Sequence, residues 1–227
     1  TPDTDEGKKE KKKLLVLGNL ADLRPATALF EAQKEVEKQR SIVERMFGLS
    51  KSYLDGTNRT EENLEKISNY EKATDNIQSE VTNFICKVME KEMSAEQSSE
   101  AASYIKISDE LESVADYLEK VAIFGSRFLE KDSLEGPLKE EFFSFFKDVE
   151  DFFNEITKGI HSSGKDHAQK SEELRAHADS LRSKHIERIS QGEYGPASSM
   201  MYSDMIVALR KVRSHSSNIS TAINERL

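Results

Sequence analysis

Apolar residues recur every three or four positions through most of the chain. Nowhere do they alternate with period two, so the pattern predicts helices and no strands. After Pro25, tolerated at a first helical position because its missing N–H would be unpaired there anyway, Ala28, Ala32, Val36, Val43 and Met46 mark one face of a first helix. Its end is predicted near Gly48, with Ser50 to Thr60 as a loop around the turn pair Asp55-Gly56. A second helix, over about 60–91, carries the stripe Leu64, Ile67, Tyr70, Thr74, Ile77, Val81, Phe84 and Val88. The third opens on Ser94-Ala95-Glu96-Gln97, which fits a capping box, and continues with Ile107, Leu111, Val114, Leu118, Val121 and Phe128.

Lys131 to Pro137 breaks the pattern. A fourth helix follows with Leu138, Phe142, Phe145, Val149, Phe152, Ile156 and Ile160, then a fifth near 165–190 and a sixth over about 197–226, separated by Gly192 to Pro196. The fourth holds six of the eleven phenylalanines, and 142, 143, 145 and 146 span more than a half-turn of directions. One face cannot take them all: most are expected in the core, and docking of the surplus on another helix, a second copy or a membrane domain is the sharper alternative.

Six helices in two sets of three suggest a repeat. The third overlays the sixth with Leu111 to Asp116 opposite Leu209 to Ser214, and the second overlays the fifth with Asn76-Ile77 opposite Ser180-Leu181. The chain divides into a basic tail over 1–19, a first three-helix unit over 20–134 and a second over 135–227. Residues 1–13, with the run Lys8 to Lys13, are polar enough to predict a mobile, solvated tail; a juxtamembrane linker attracted to anionic lipid is the sharper alternative.

Composition narrows the function. With 33 basic and 42 acidic residues the chain carries a net charge of −9, which argues against binding nucleic acid over a large area. The longest aliphatic run, Leu14 to Leu17, is far too short to span a bilayer, and the polar start is no signal peptide. The missing initial Met predicts a piece of a longer protein. Cys86, among Phe84, Ile85 and Val88, is expected in the core.

Two predicted helices carry Glu-x-x-x-Asp: Glu71 with Asp75, and Glu112 with Asp116. Residues four apart stand one above the other, about 6 Å along a helix axis. Packed side by side, the two helices would bring four carboxylates together, and like charges raise one another's pKa. A divalent or trivalent cation is one remedy, since carboxylate oxygens suit hard and borderline metals. No nucleophile with a partnering His, no phosphate loop and no Glu-x-x-His pair is present, so neither a hydrolase nor a carboxylate-bridged di-metal enzyme is indicated. A helical scaffold without a ligand remains the plain alternative.

The run Ile107 to Ala122 resembles the signature helix of PhoU-like proteins, which reads acidic-Leu-Glu-Arg-Ile-Gly-Asp. Glu112 and Asp116 match it, while Ser113 stands in place of Arg and Ala115 in place of Gly. The resemblance implies an all-α fold of two pseudo-symmetric three-helix bundles. It makes Glu71, Asp75, Glu112 and Asp116 the candidate metal ligands of the first. In the second, Arg175 stands opposite Glu71, Asp179 opposite Asp75, Arg210 opposite Glu112 and Ser214 opposite Asp116, with His215 following. A salt bridge of Asp179 to Arg175 or Arg210 is the expectation there, an anion held by Arg175 and Arg210 the sharper alternative. Leu20 to Ala32 resembles the start of the PhoU-like tail of bacterial sodium/phosphate cotransporters. That resemblance implies a non-enzymatic regulatory domain at the cytoplasmic face of the membrane, partnered by a transporter domain of the same or another chain, or by a second copy. A free-standing PhoU-like regulator is the alternative.

Overall fold

The computed structural model describes residues 24–161 and 167–226, and the predicted tail over 1–13 lies outside them. Six α-helices make up the fold: α1 (Pro25–Asp55), α2 (Glu61–Met89), α3 (Ala95–Leu129), α4 (Gly136–Thr157), α5 (Ala168–Ser190) and α6 (Pro196–Asn224). A 3-10 turn, Lys158–His161, extends α4. No strand occurs among the described residues.

Local signals set the boundaries. Thr60 caps α2 by accepting the Asn63 amide at 3.1 Å. At α3 the capping box forms in both directions, Gln97 N to Ser94 Oγ at 3.2 Å and Ser94 N to Gln97 Oε1 at 3.1 Å. The first helix runs past its predicted end at Gly48. That glycine is exposed, and Phe47, Ser50, Tyr53 and Leu54 carry the buried stripe onward, so packing outweighs a cost of about 1 kcal/mol for the glycine. The helix stops at Gly56, whose φ of 91° puts it in the left-handed region. Arg59 then covers the last carbonyls, donating to Tyr53 O at 3.3 Å and Leu54 O at 3.2 Å.

The first three helices pack on one another, and so do the last three. The two sets join along α3 and α6, the most extensive helix pair, which run antiparallel: Ser103 meets Ala222 at one end and Phe128 meets Tyr202 at the other. Of the six phenylalanines in α4, five are buried and Phe143 packs partly buried against the core. The surplus goes to another helix. Phe146 and Phe153 lie 5.9 and 5.3 Å from Phe47 of α1, so α4 is wedged between its own set and the first. Cys86 is exposed, contrary to the core expectation. Val81, Phe84, Ile85 and Val88 keep the inward face of α2, and position 86 points off it.

Candidate functional site

The α2–α3 seam carries the acidic residues. Glu71, Glu112 and Asp116 are half-buried and Asp75 is exposed. Burial raises the Glu71 carboxyl above its ordinary range, and the charges of Glu119, Asp75, Asp116 and Glu112 add to it. Glu112 is raised by burial first, then by Asp116, Asp75 and Asp109, against the opposing Ser113 hydroxyl. The helices thus bring all four predicted residues within electrostatic reach, together with Glu119, which spacing alone did not single out.

Two features organise this seam. Gln39 of α1 is completely buried, and its amide donates to Thr74 O at 3.2 Å and Ser108 O at 3.0 Å while accepting from Ser108 Oγ at 2.7 Å. Thr74 lies between Glu71 and Asp75, and Ser108 one turn before Glu112, so one side chain ties α2 to α3 directly beneath the carboxylates. The second feature is Lys120. Its ammonium sits 2.5 Å from Asp116 and 4.5 Å from the centre of the Tyr117 ring, and the Asp116 contact raises its pKa. Glu119 accepts from Ser68 Oγ at 2.5 Å.

The carboxylate chemistry suits a hard cation. Among the described residues no group of three His, Cys, Asp or Glu side chains is placed to hold a metal ion. Asp116 is turned to Lys120, an internal ammonium that supplies the positive charge the seam calls for.

At the matching place on α5 and α6 the charges reverse. Asp179 joins Arg175 at 3.4 Å and Arg210 at 3.1 Å, and Arg175 Nε also donates to Glu172 at 2.8 Å. Arg213, one turn beyond Arg210, donates to Ser171 Oγ at 2.7 Å. Ser214 stands beside it, half-exposed and uncharged.

His215 turns away from this seam to α3. Its Nδ1 lies 2.7 Å from Glu110, its ring stacks on Tyr117 at 5.4 Å, and Asn218 completes the pairing to Glu110 at 3.0 Å. His185 is buried, 4.5 Å from the Tyr202 ring, and burial lowers its pKa. His167 forms a line that sequence reading missed, with Ser220 Oγ at 2.9 Å and Glu155 at 3.8 Å. Ser220 is only 5% exposed, on the inner face of α6.

The family profile described as the PhoU domain matches residues 36–124, from early in α1 to near the end of α3. Comparison with curated proteins and with solved structures returns no match.

Proposed function

We propose that this chain, which belongs to the PhoU-like domain family by its residues 36–124, is a non-catalytic regulatory module that adjusts phosphate transport. The observation that carries the reading is the extent of that match. It takes in α2, α3 and all four carboxylates of the acidic seam on an all-helical frame. Among the described residues no helix is long and apolar enough to cross a membrane. On this reading the module acts on a membrane domain at the cytoplasmic face. The preferred arrangement is attachment to a sodium-dependent phosphate cotransporter, supported by the resemblance of Leu20 to Ala32 to that junction. Hydrophobic spans encoded just upstream distinguish this arrangement from a free-standing regulator.

The test is sodium-dependent phosphate uptake in cells carrying the intact gene or one with this domain deleted. Deletion is expected to leave transport working but uncoupled from external phosphate. Uptake that still adjusts to phosphate overturns the proposal.

A further inference from the structure

The α5–α6 seam places three guanidiniums, Arg175, Arg210 and Arg213, against two carboxylates, Glu172 and Asp179. The carboxylates are taken up by two of the three. Asp179 serves Arg175 and Arg210, and Glu172 serves Arg175. Arg213 is left with a neutral partner, the Ser171 hydroxyl. Its Nε is fully buried and has no hydrogen-bond partner. Buried donors in native proteins are paired, and an orphan calls for an explanation. Burial and the neighbouring Arg210 and Arg175 charges press the Arg213 pKa down against the opposing pull of Glu172 and Asp179. Arg cannot resolve this by losing its proton, because its intrinsic pKa is too high. Added negative charge resolves it.

We propose that this seam binds a small tetrahedral oxyanion between Arg213, Arg210 and the Ser171 hydroxyl, and that Asp179 makes it prefer hydrogen phosphate to sulfate. The donor set is right for such a guest: guanidinium forks match oxyanion edges, and a serine hydroxyl supplies a further donor. The seam opens to solvent at Arg210 and Asp179, whose side chains are 32% and 44% exposed. Selectivity follows from the carboxylate. Hydrogen phosphate keeps an O–H at neutral pH and can donate it to Asp179. Sulfate has no proton to give and meets only repulsion there. As a phosphate sensor the site rests on the regulatory reading above; as an anion site it does not, and the experiment reads binding alone.

Arginine Nε–H resonances of the full chain are followed by NMR during titration with sodium phosphate or sodium sulfate at pH 7, with ionic strength held constant by sodium chloride. The Arg213 Nε–H resonance is expected to shift saturably with phosphate, with half-saturation at least about tenfold lower than for sulfate, a factor equal to about 1.4 kcal/mol. Arg213→Lys keeps the charge but loses the fork, and should weaken phosphate at least about tenfold. Asp179→Asn should erase the preference by strengthening sulfate. Should either variant fail to fold, Ser171→Ala and the two-anion comparison on the unaltered chain decide the matter. A linear, unsaturating shift, an equal response to both anions, or phosphate affinity unchanged in Arg213→Lys and Ser171→Ala overturns the proposal. None of these outcomes touches the uptake result, so the two failures are distinguishable.

Discussion

The α2–α3 seam and the α5–α6 seam occupy matching places in their three-helix sets and solve opposite electrostatic problems. In the first, Glu71, Asp75, Glu112, Asp116 and Glu119 crowd together, and one ammonium, Lys120, answers them. In the second, Arg175 and Arg210 share Asp179, and Arg213 is left to a serine. Each seam holds an excess of one sign that its own residues only partly compensate. The sequence overlay sets the two seams opposite one another, but their charges differ, so a role for one seam does not transfer to the other.

The largest expected effect asks whether both seams belong to one folding unit. Phe47 of α1 contacts Phe146 and Phe153 of α4, the link between the two sets that lies away from the α3–α6 pair. Phe47→Ala should destabilise by about 3–5 kcal/mol. Native-state hydrogen exchange should then show amides of α2 and α5 losing protection together. Loss confined to α1–α3 would mean the two seams sit on separately stable bodies.

A smaller cost, about 1–3 kcal/mol, is expected for Gln39→Leu, which leaves the buried Ser108 hydroxyl without its acceptor. The urea midpoint of the whole chain should fall accordingly. Next come two substitutions of opposite sign. Asp179→Asn leaves three guanidiniums facing Glu172 alone and should cost about 1 kcal/mol or less, the pair being partly exposed. Glu71→Gln relieves the crowding and should be neutral or stabilising. Urea midpoints of the two variants that move in the same direction would end the contrast.

Much of this was legible in the sequence, and the exceptions share a cause. The stripes of α2, α3 and α4 and the Ser94–Gln97 box are local periodicities, and local pattern is what a sequence displays. Gly48 misled because a glycine reads as a stop unless its face is known to be exposed. Cys86 misled in the reverse sense, its apolar neighbours facing inward while it does not. The four carboxylates were visible from spacing. Gln39, Glu119 and Arg213 were not, because their roles depend on which side chain of another helix lies opposite, and no spacing records that. Lys120 is the near case: it lies four residues after Asp116, but only geometry shows Asp116 committed to it.

Acidification should affect the groups of the two sets with opposite sign. Glu71 and Glu112 have folded pKa values above the ordinary 4.5, so the native state holds more protons there, and ionisation costs stability as pH rises through the raised values. Their effect is most favourable below about pH 4.5. His185 is shifted the other way, below 6.5, so the unfolded chain binds the extra proton and stability falls as pH drops beneath that value. The charged groups around it, Arg188 on its own helix and Glu193 in the following turn, pull in opposite directions, and burial dominates both. Between the two windows, melting of the Glu71→Gln/Glu112→Gln chain should lose part of the gain that acid gives the first set. His185→Phe should lose part of the acid sensitivity of the second. Identical pH profiles for both variants and the parent would show that neither site is perturbed as described.

The smallest effect tests the cation question directly. In the α2–α3 seam Lys120 holds Asp116 at 2.5 Å, and both side chains are partly exposed, 41% and 33%. Exposed pairs four residues apart on a helix are worth about 0.3–0.5 kcal/mol, so a metal ion must compete with little more than that to recruit Asp116. Among the described residues no three ligands are gathered, and the unaltered chain should bind manganese(II) only weakly. Lys120→Gln frees Asp116 and removes a positive charge, and should strengthen binding about twofold, the factor that 0.3–0.5 kcal/mol corresponds to. Paramagnetic broadening of amides around Glu112 and Asp116 measures it. Tight binding in the unaltered chain, insensitive to Lys120→Gln, would mean that the carboxylates close around the ion and displace the lysine at no cost. The acidic seam would then be a metal centre after all, and its contrast with the arginine seam would lie between two ligand sites of opposite charge.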